Sequence, residues 1–564
     1  MTEKSFVETF VSNVHDTPNK IACSFLKGRK LIAEDFSYSY LHEKAQIVAN
    51  QLLVNQLSRK KVGILCNNDI FFVISILACF YARAIAVPVP NGALRNLKNR
   101  AENIIKSAEL DVFLILNPEH SITRGDVFNN NLLELNINHL SSQSTNVNSC
   151  ASVINNGSAD DIALIQYTSG SVNHPKGILI SHKNLSINLL MIQNSFRYYS
   201  KEDSVTNWLP FYHDMGLVGG LLIPFFVGAK SIQINPIEFL KRPLCWLKTV
   251  SRYKSVYSGA PNFAYQLCVD VLNKNSNQNL DLDLSSWKVA FCGSEPILAS
   301  VMTAFVNSFS PFQFAKESLL PCYGMAEATL IISAAGYQTG YKTYTRSSDF
   351  SKNQITFVSC GKILGDQKVK IISDSTDKSD SELEGEILIA GENFFSGYVV
   401  DGKIDTTCFY FDEKNERYFP TGDIGFIYQN ELYITGRKKQ IIIQNGINYY
   451  PYDISRYIGT LNNQLDNLKG AVFDFALDNP PINDFKNSVI VIHELKRGFI
   501  LKGDKIKTME NQIKNAVIKE FGLNIGMVKV VKNGSLPRTS SGKLQMEKCK
   551  KIFLTLTTAL TTTL

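Results

Sequence analysis

The 564 residues are 45% hydrophobic and 19% charged, with a formal net charge of +7. That length exceeds a single core and suggests two to four domains, and the apolar share excludes a disordered chain. The longest apolar runs, 70–82 and 217–229, fall short of the roughly 20 residues that cross a bilayer, so the protein is not expected to be transmembrane. The start MTEKSFVETFVSNVHD lacks a charged-then-apolar leader pattern, which makes the cytoplasm the expected compartment. Eleven cysteines without paired spacing point to free core thiols, not to zinc or disulfides.

In chain order, 42–53 reads as a helix, 62–66 as a buried strand, 70–82 as a helix and 84–89 as a strand. The rhythm returns at 111–116, 162–167, 231–234, 255–258 and 289–292. Strands alternating with helices predict an α/β fold with a parallel sheet covered on both faces, and ligands collect at the carboxyl ends of such strands. After about residue 358, short patterns at 369–372, 385–389, 425–428 and 431–435 predict a small antiparallel subdomain. The run GRKKQ at 436–440 reads as a connector. Beyond it, strand patterns at 441–443, 472–475 and 489–493, with helices from 451 and over 508–521, predict a separate α+β lid. The uncharged LTLTTALTTTL at 554–564 has no clear period and reads as a tail. The expected division is 1–436, a hinge at 437–440, a lid at 441–550 and a tail at 551–564.

Residues 502–551 carry twelve Lys/Arg against four Asp/Glu. The stretch is either a solvated lysine surface or a dock for an acidic partner. Nucleic acid is not expected, because no reader motif accompanies the charge.

The segment with most chemistry is YTSGSVNHPKG at 167–177. Small residues let backbone approach an anion, hydroxyls donate to it, and a lysine adds charge, so this is chemistry for a polyphosphate. It is not the common nucleoside-triphosphate loop, in which the lysine follows the glycine. Further motifs follow in order: WLPFYHDMGL at 208–217, FCGSEPI at 291–297, CYGMAEATL at 322–330, PTGDIGF at 420–426, GRKKQIIIQNGINYYP at 436–451 and LPRTSSGK at 536–543. The series resembles the acyl-adenylate-forming ligases over nearly the whole chain. YHDMGL, GSEP, GMAEATL and INYYPYDI look most like the fatty acyl-AMP ligases, which are similar also in carrying an insertion near 336–359.

The resemblance implies a large N-terminal adenylate-forming domain with a smaller mobile α+β lid. It implies activation of a medium- or long-chain fatty acid by ATP with release of pyrophosphate, then acyl transfer to the phosphopantetheine thiol of an acyl carrier protein or synthase carrier domain. By the same resemblance, Thr168, Ser169, Gly170, Ser171 and Lys176 hold the β/γ-phosphates and Glu327 contacts Mg2+. Gly293, Ser294, Glu295, Pro296, Tyr323 and Gly324 form the adenine slot, and Met325 and Ala326 also bind the nucleotide. Asp423 accepts the ribose hydroxyls and Arg437 braces ribose or phosphate. Lys543 bridges carboxylate and α-phosphate, Lys439 is the hinge, and His213 borders the acyl pocket.

Each of these has a plainer reading. Glu327 suits the first turn of a helix, Asp423 an Asx turn between strands, Arg437 a solvated connector and Lys543 a basic surface. His213 suits packing against Tyr212, and Gly219 and Gly220 either chain room or close helix packing. Val172 and Asn173 depart from the family's Thr and Gly, as do Ser455 and Gln440 from its usual acidic residues. The competing functions are a fatty acyl-CoA synthetase, for which the insertion is the discriminating feature, and a non-catalytic nucleotide-binding scaffold.

Overall fold

A computed structural model of the chain describes residues 4–66, 68–91, 95–115, 133–136, 157–167, 175–274, 280–347, 354–373, 384–444, 447–474, 488–538 and 544–561. Its first helix, Phe6–Asp16, is started by a capping box in which Ser5 and Glu8 satisfy each other's backbone donors. Helix Ile70–Ala82 matches the sequence expectation residue for residue. It is apolar all round and therefore buried on nearly every side. Asp69 accepts from Phe71 and Phe72 at its start, and Arg83 closes it in the left-handed region.

Among the described residues, two large mixed sheets form the body. One has eight strands in the spatial order Lys403–Asp405, Tyr398–Val400, Gly177–Ser181, Ile162–Tyr167, Ile85–Pro90, Lys61–Cys66, Val112–Ile115, Leu133–Asn136. The other has nine: Lys362–Ile363, Ile331–Ala334, Leu319–Gly324, Val289–Cys292, Tyr257–Ala260, Ser204–Asn207, Lys230–Ile234, Ile21–Lys27, Ile32–Ser37. Most interior pairs of both are parallel, and antiparallel partners close both flanks of the nine-stranded sheet and one flank of the eight-stranded sheet, whose Leu133–Asn136 edge is parallel, so the sheets are mixed and not purely parallel. Cys23, Cys79, Cys245, Cys268, Cys292 and Cys360 are buried free thiols in this body.

The expected antiparallel subdomain is there: Lys368–Ile372, Gly385–Ala390 and Arg417–Tyr428 pair in sequence, and Arg417–Tyr428 also pairs Glu431–Arg437. The region of the expected insertion supplies a hairpin, Thr343–Ser347 with Gln354–Val358. Its Tyr344 and Phe357 pack on Phe426, with ring centroids 5.5 and 5.8 Å apart.

The C-terminal residues build a separate core on a three-stranded sheet, Leu465–Asp474, Val489–Leu495 and Ile525–Val531. Helices Pro451–Leu461 and Asp504–Phe521 cover one face. The expected tail is a correction. Helix Met546–Thr561 runs through most of it, because Cys549 and Phe553, one turn apart, are buried with Phe473 and Ile490 on the sheet's other face. Among the described residues no helix is long and apolar enough to cross a membrane.

Candidate active site

The hairpin of Ile162–Tyr167 and Gly177–Ser181 brings Lys176 to the start of its second strand. That strand also pairs Tyr398–Val400, with Tyr398 opposite Ile178. Lys176 Nζ consequently sits 4.9 Å from the centre of the Tyr398 ring, a cation–π contact. The Tyr398 hydroxyl donates to Glu327 Oε1 at 2.8 Å. Glu327 lies in the single 3-10 turn Ala326–Ala328 after strand Leu319–Gly324. Burial raises its carboxyl above the ordinary range, the Tyr398 hydrogen bond opposes this, and Asp214 adds a further upward push. The phosphate-segment lysine and the carboxylate expected to meet a metal are thus joined through one tyrosine.

Asp423 is in register with Arg437 across the antiparallel pair of Arg417–Tyr428 and Glu431–Arg437. Arg437 Nε donates to its Oδ1 at 2.8 Å and the Tyr323 hydroxyl donates to its Oδ2 at 2.7 Å. The carboxylate is 5% exposed. The pair joins the two residues while the Arg437 side chain stays 57% exposed. Asp423 holds the Arg437 guanidinium above its ordinary value, and burial followed by Asp423 pushes the Tyr323 phenol up. A carboxylate offers about four acceptor positions, so two remain for a diol.

Residues 293–296 follow strand Val289–Cys292. Ser294 takes a left-handed φ of 72°. The Glu295 carboxylate accepts from the Phe263 amide at 2.6 Å and is engaged at the start of helix Asn262–Lys274. A Cβ on Gly324 would stand 1.8 Å from the Leu330 carbonyl oxygen. The Met325 amide donates to that same oxygen at 2.9 Å, tightening the loop that carries Met325, Ala326 and Glu327.

His213 precedes the short helix Asp214–Leu217, and its Nδ1 lies 2.6 Å from Asp214 Oδ1. The apolar run then turns π-helical over Val218–Leu222. A Cβ on Gly220 would meet Asn207 Cγ at 2.3 Å, so Gly220 serves close packing. A cleft lined by Trp208, Pro210, His213, Leu240, Phe263 and Ser294 joins the 208–217 motif to the 293–296 segment.

Sequence reasoning passed over Arg100, Gln166 and Tyr398, and named Tyr212 only as packing for His213. Arg100, on helix Arg95–Ala108, donates from Nη2 to the Tyr167 carbonyl at 3.1 Å, and its guanidinium lies 5.4 Å from the Tyr212 ring centre. Gln166 Nε2 donates to the Tyr212 carbonyl at 2.7 Å. A half-buried cation is thereby fixed at the residue that precedes TSGSVNHPKG in the chain. Nothing in RNLKNR distinguishes this arginine from its neighbours, whereas Tyr398 is findable only from strand pairing.

Lys439 is exposed in the 3-10 turn Lys438–Gln440, whose Lys438 pairs with Glu386 at 2.7 Å. Just beyond, the Tyr450 hydroxyl donates to Glu384 Oε1 at 2.6 Å, while Arg346 of the hairpin pairs with Oε2 of the same residue. Tyr452 packs on the second large core of the body. Thr168, Ser169, Gly170, Ser171 and Lys543, with Val172 and Asn173, lie outside the described residues.

Residues 10–399 match the AMP-binding enzyme family. The chain belongs to the AMP-binding enzymes. Among them it is 32% identical to the medium-chain-fatty-acid--[acyl-carrier-protein] ligase JamA of Moorena producens (strain JHB), over 94% of this chain and 92% of that protein. It is 27% identical to the 4-hydroxyphenylalkanoate adenylyltransferase of Mycobacterium tuberculosis (strain ATCC 25618 / H37Rv), over 97% and 91%. A fatty acyl-adenylate ligase from L. pneumophila, solved in complex with acyl adenylate and pyrophosphate, superimposes with a TM-score of 0.71 at 31% identity, over 98% and 96% of the chains. A chain from structural and functional studies of fatty acyl-adenylate ligases from E. coli and L. pneumophila superimposes with a TM-score of 0.83 at 26% identity, over 98% of each. This AMP-binding enzyme therefore has the adenylate-forming α/β fold along its whole length.

Proposed function

We propose that this enzyme joins a medium- or long-chain fatty acid to ATP as an acyl-adenylate and passes the acyl group to the phosphopantetheine thiol of an acyl carrier protein, in the cytoplasm. The observation that carries the reading is Asp423, a buried carboxylate with two occupied and two open acceptor positions, in a chain similar over its full length to a fatty-acid carrier-protein ligase and to an acyl-adenylate ligase structure.

In the first step a carboxylate oxygen of the fatty acid attacks the α-phosphorus of ATP. The bond from that phosphorus to the bridging oxygen breaks, and pyrophosphate leaves with the electron pair. Little covalent work falls to the protein, so position and charge dominate. Asp423 takes the ribose hydroxyls with Arg437 holding its charge in place. Tyr323, Gly324, Met325 and Ala326, with the backbone of Gly293, Ser294, Glu295 and Pro296, form the slot for the base. Lys176, steadied over Tyr398, and Arg100 supply charge for the phosphates, together with Thr168, Ser169, Gly170 and Ser171. Lys543 serves the developing charge between carboxylate and α-phosphate.

The buried Glu327 carboxylate, pushed up by burial and by Asp214, suits a divalent cation. Glu327 would hold Mg2+, which neutralises phosphate oxygens when bound. The cleft beside His213 and Ser294 receives the acyl chain. In the second step the thiol sulfur attacks the acyl carbonyl, the bond to the adenylate oxygen breaks, AMP leaves and the thiol proton goes to solvent. Turning about Lys439 re-aims the lid between the two steps.

Carrier protein is favoured over CoA as acceptor by the hairpin 343–358, since Arg346 and the lid residue Tyr450 share Glu384. A non-catalytic scaffold has no use for the Lys176, Glu327, Asp423 and Arg437 arrangement. Mass spectrometry after incubation with ATP, Mg2+ and a fatty acid, with holo carrier protein in one arm and CoA in the other, tests the reading. Acyl carrier protein is the expected product; acyl-CoA formed at equal rate, or no pyrophosphate release in either arm, overturns it.

A further inference from the structure

The turn between strand Val489–Leu495 and helix Asp504–Phe521 has the sequence KRGFILKGDKIK over 496–507. Two adjacent bulky apolar side chains stand at its tip, Phe499 at 41% and Ile500 at 78% exposure. They are not the disorder of a loose loop. Leu501 and Ile506 pack on the C-terminal core, and the Phe499 amide closes a turn on the Lys496 carbonyl at 3.2 Å. Gly498 and Gly503 bracket the tip with left-handed φ values of 95° and 57°, which fix a reversal that side chains disfavour. The chain therefore turns Leu501 inward and presents Phe499 and Ile500 outward.

Cations flank this tip on both sides. Lys496 and Arg497 precede it and Lys502, Lys505 and Lys507 follow, against the one acid Asp504. Arg497, Lys502, Lys505 and Lys507 are exposed, and none of the five is in an ion pair with a described residue. A protruding apolar tip needs no matching concavity when it enters the headgroup region of a bilayer, and a surrounding set of cations then lies at the level of anionic headgroups. A protein partner would instead have to supply a pocket for two side chains raised on a convex turn.

We propose that residues 496–507 dock the enzyme peripherally on an anionic lipid surface, with Phe499 and Ile500 inserted among the headgroups and the exposed cations Arg497, Lys502, Lys505 and Lys507 on their phosphates. The binding stands on the turn alone. Only its use, drawing a water-insoluble fatty acid from the bilayer that dissolves it, rests on the acyl-activating reading.

The test is co-sedimentation of the full-length protein with vesicles of phosphatidylcholine containing 30% phosphatidylglycerol (about), against pure phosphatidylcholine, without substrate. The expected result is binding at least about tenfold tighter to the anionic vesicles, weakened by added salt. F499S/I500S should lose about tenfold of it, and K502Q/K505Q should lower both the binding and its salt dependence. Both variants should keep wild-type pyrophosphate exchange with a short, water-soluble fatty acid, which shows that they fold. Equal binding to both vesicles, or no loss in either variant, overturns the proposal. So does a variant that binds vesicles normally but fails to acylate holo carrier protein, since the turn would then be the carrier's dock. Because vesicle binding is read without substrate, its failure is separate from any failure of the acyl-activating reading.

Discussion

Removing the charge from Asp423 gives the sharpest test of the site. Asp423→Asn leaves a side chain of the same shape but weakens the acceptors that meet Tyr323 at 2.7 Å and Arg437 at 2.8 Å, and those that would meet the ribose. A hydrogen bond to a charged group contributes about 1.5–3 kcal/mol. At tenfold per 1.4 kcal/mol, the KM for ATP should rise roughly 10- to 150-fold, with the KM for fatty acid little changed. A structural role for Asp423 would also weaken ATP binding, so the assay must separate the two. Pyrophosphate exchange is measured with ATP and with 2′-deoxy-ATP, on wild type and on the variant. If Asp423 holds the hydroxyl, wild type discriminates between the nucleotides by about tenfold or more and the variant does not, which gives a coupling of about 1.4 kcal/mol or more. Equal discrimination by both proteins would refute the ribose assignment.

Asp453, in the first turn of helix Pro451–Leu461, has its carboxyl pushed up to about 6 by burial, with Arg456 and Arg346 pulling it down and Glu384 pushing it up. The observed docking of the lid therefore takes up a proton that an ordinary carboxyl, near 3.8, would not hold between pH 4 and 6 (about). Docking is strongest below that window and weakens as pH rises through it; a fluorescence distance between body and lid should report this, and Asp453→Asn should flatten the curve. Arg100→Met should raise the KM for ATP and for pyrophosphate by roughly tenfold while leaving that for fatty acid unchanged; an equal rise in all three would deny it a role at the phosphates. Phe553→Ala, at a side chain 1% exposed, should cost about 3–5 kcal/mol, seen as early proteolysis within the C-terminal unit.

The mostly apolar segments were the most legible ones. Residues 70–82, 162–167 and 289–292 start and stop where the sequence indicates, because burial on both faces leaves them no alternative partner. Helix Met546–Thr561 was not, since threonine-rich LTLTTALTTTL has weak helix propensity and its state is decided upstream by Cys549 and Phe553 against the sheet. The motif residues Asp423, Tyr323 and Arg437 could be named in advance but not joined, because their bond depends on a register between two strands. Arg100 and Tyr398 lie outside every motif, and only the packing of a helix and the pairing of strand Tyr398–Val400 against strands 162–167 and 177–181 bring them to the site.

Glu384 is held from the hairpin by Arg346 and from the lid by Tyr450, with Thr435 also at its carboxylate. An engineer who trimmed the hairpin to admit CoA would free one oxygen of that carboxylate and so alter the footing of Tyr450 as well. On the proposed reading, acceptor choice is then not a property of the inserted segment that can be cut out or grafted alone. It belongs to a three-residue unit of Arg346, Glu384 and Tyr450, and a transplant that leaves any member behind transfers the shape of the hairpin without its hold on the lid.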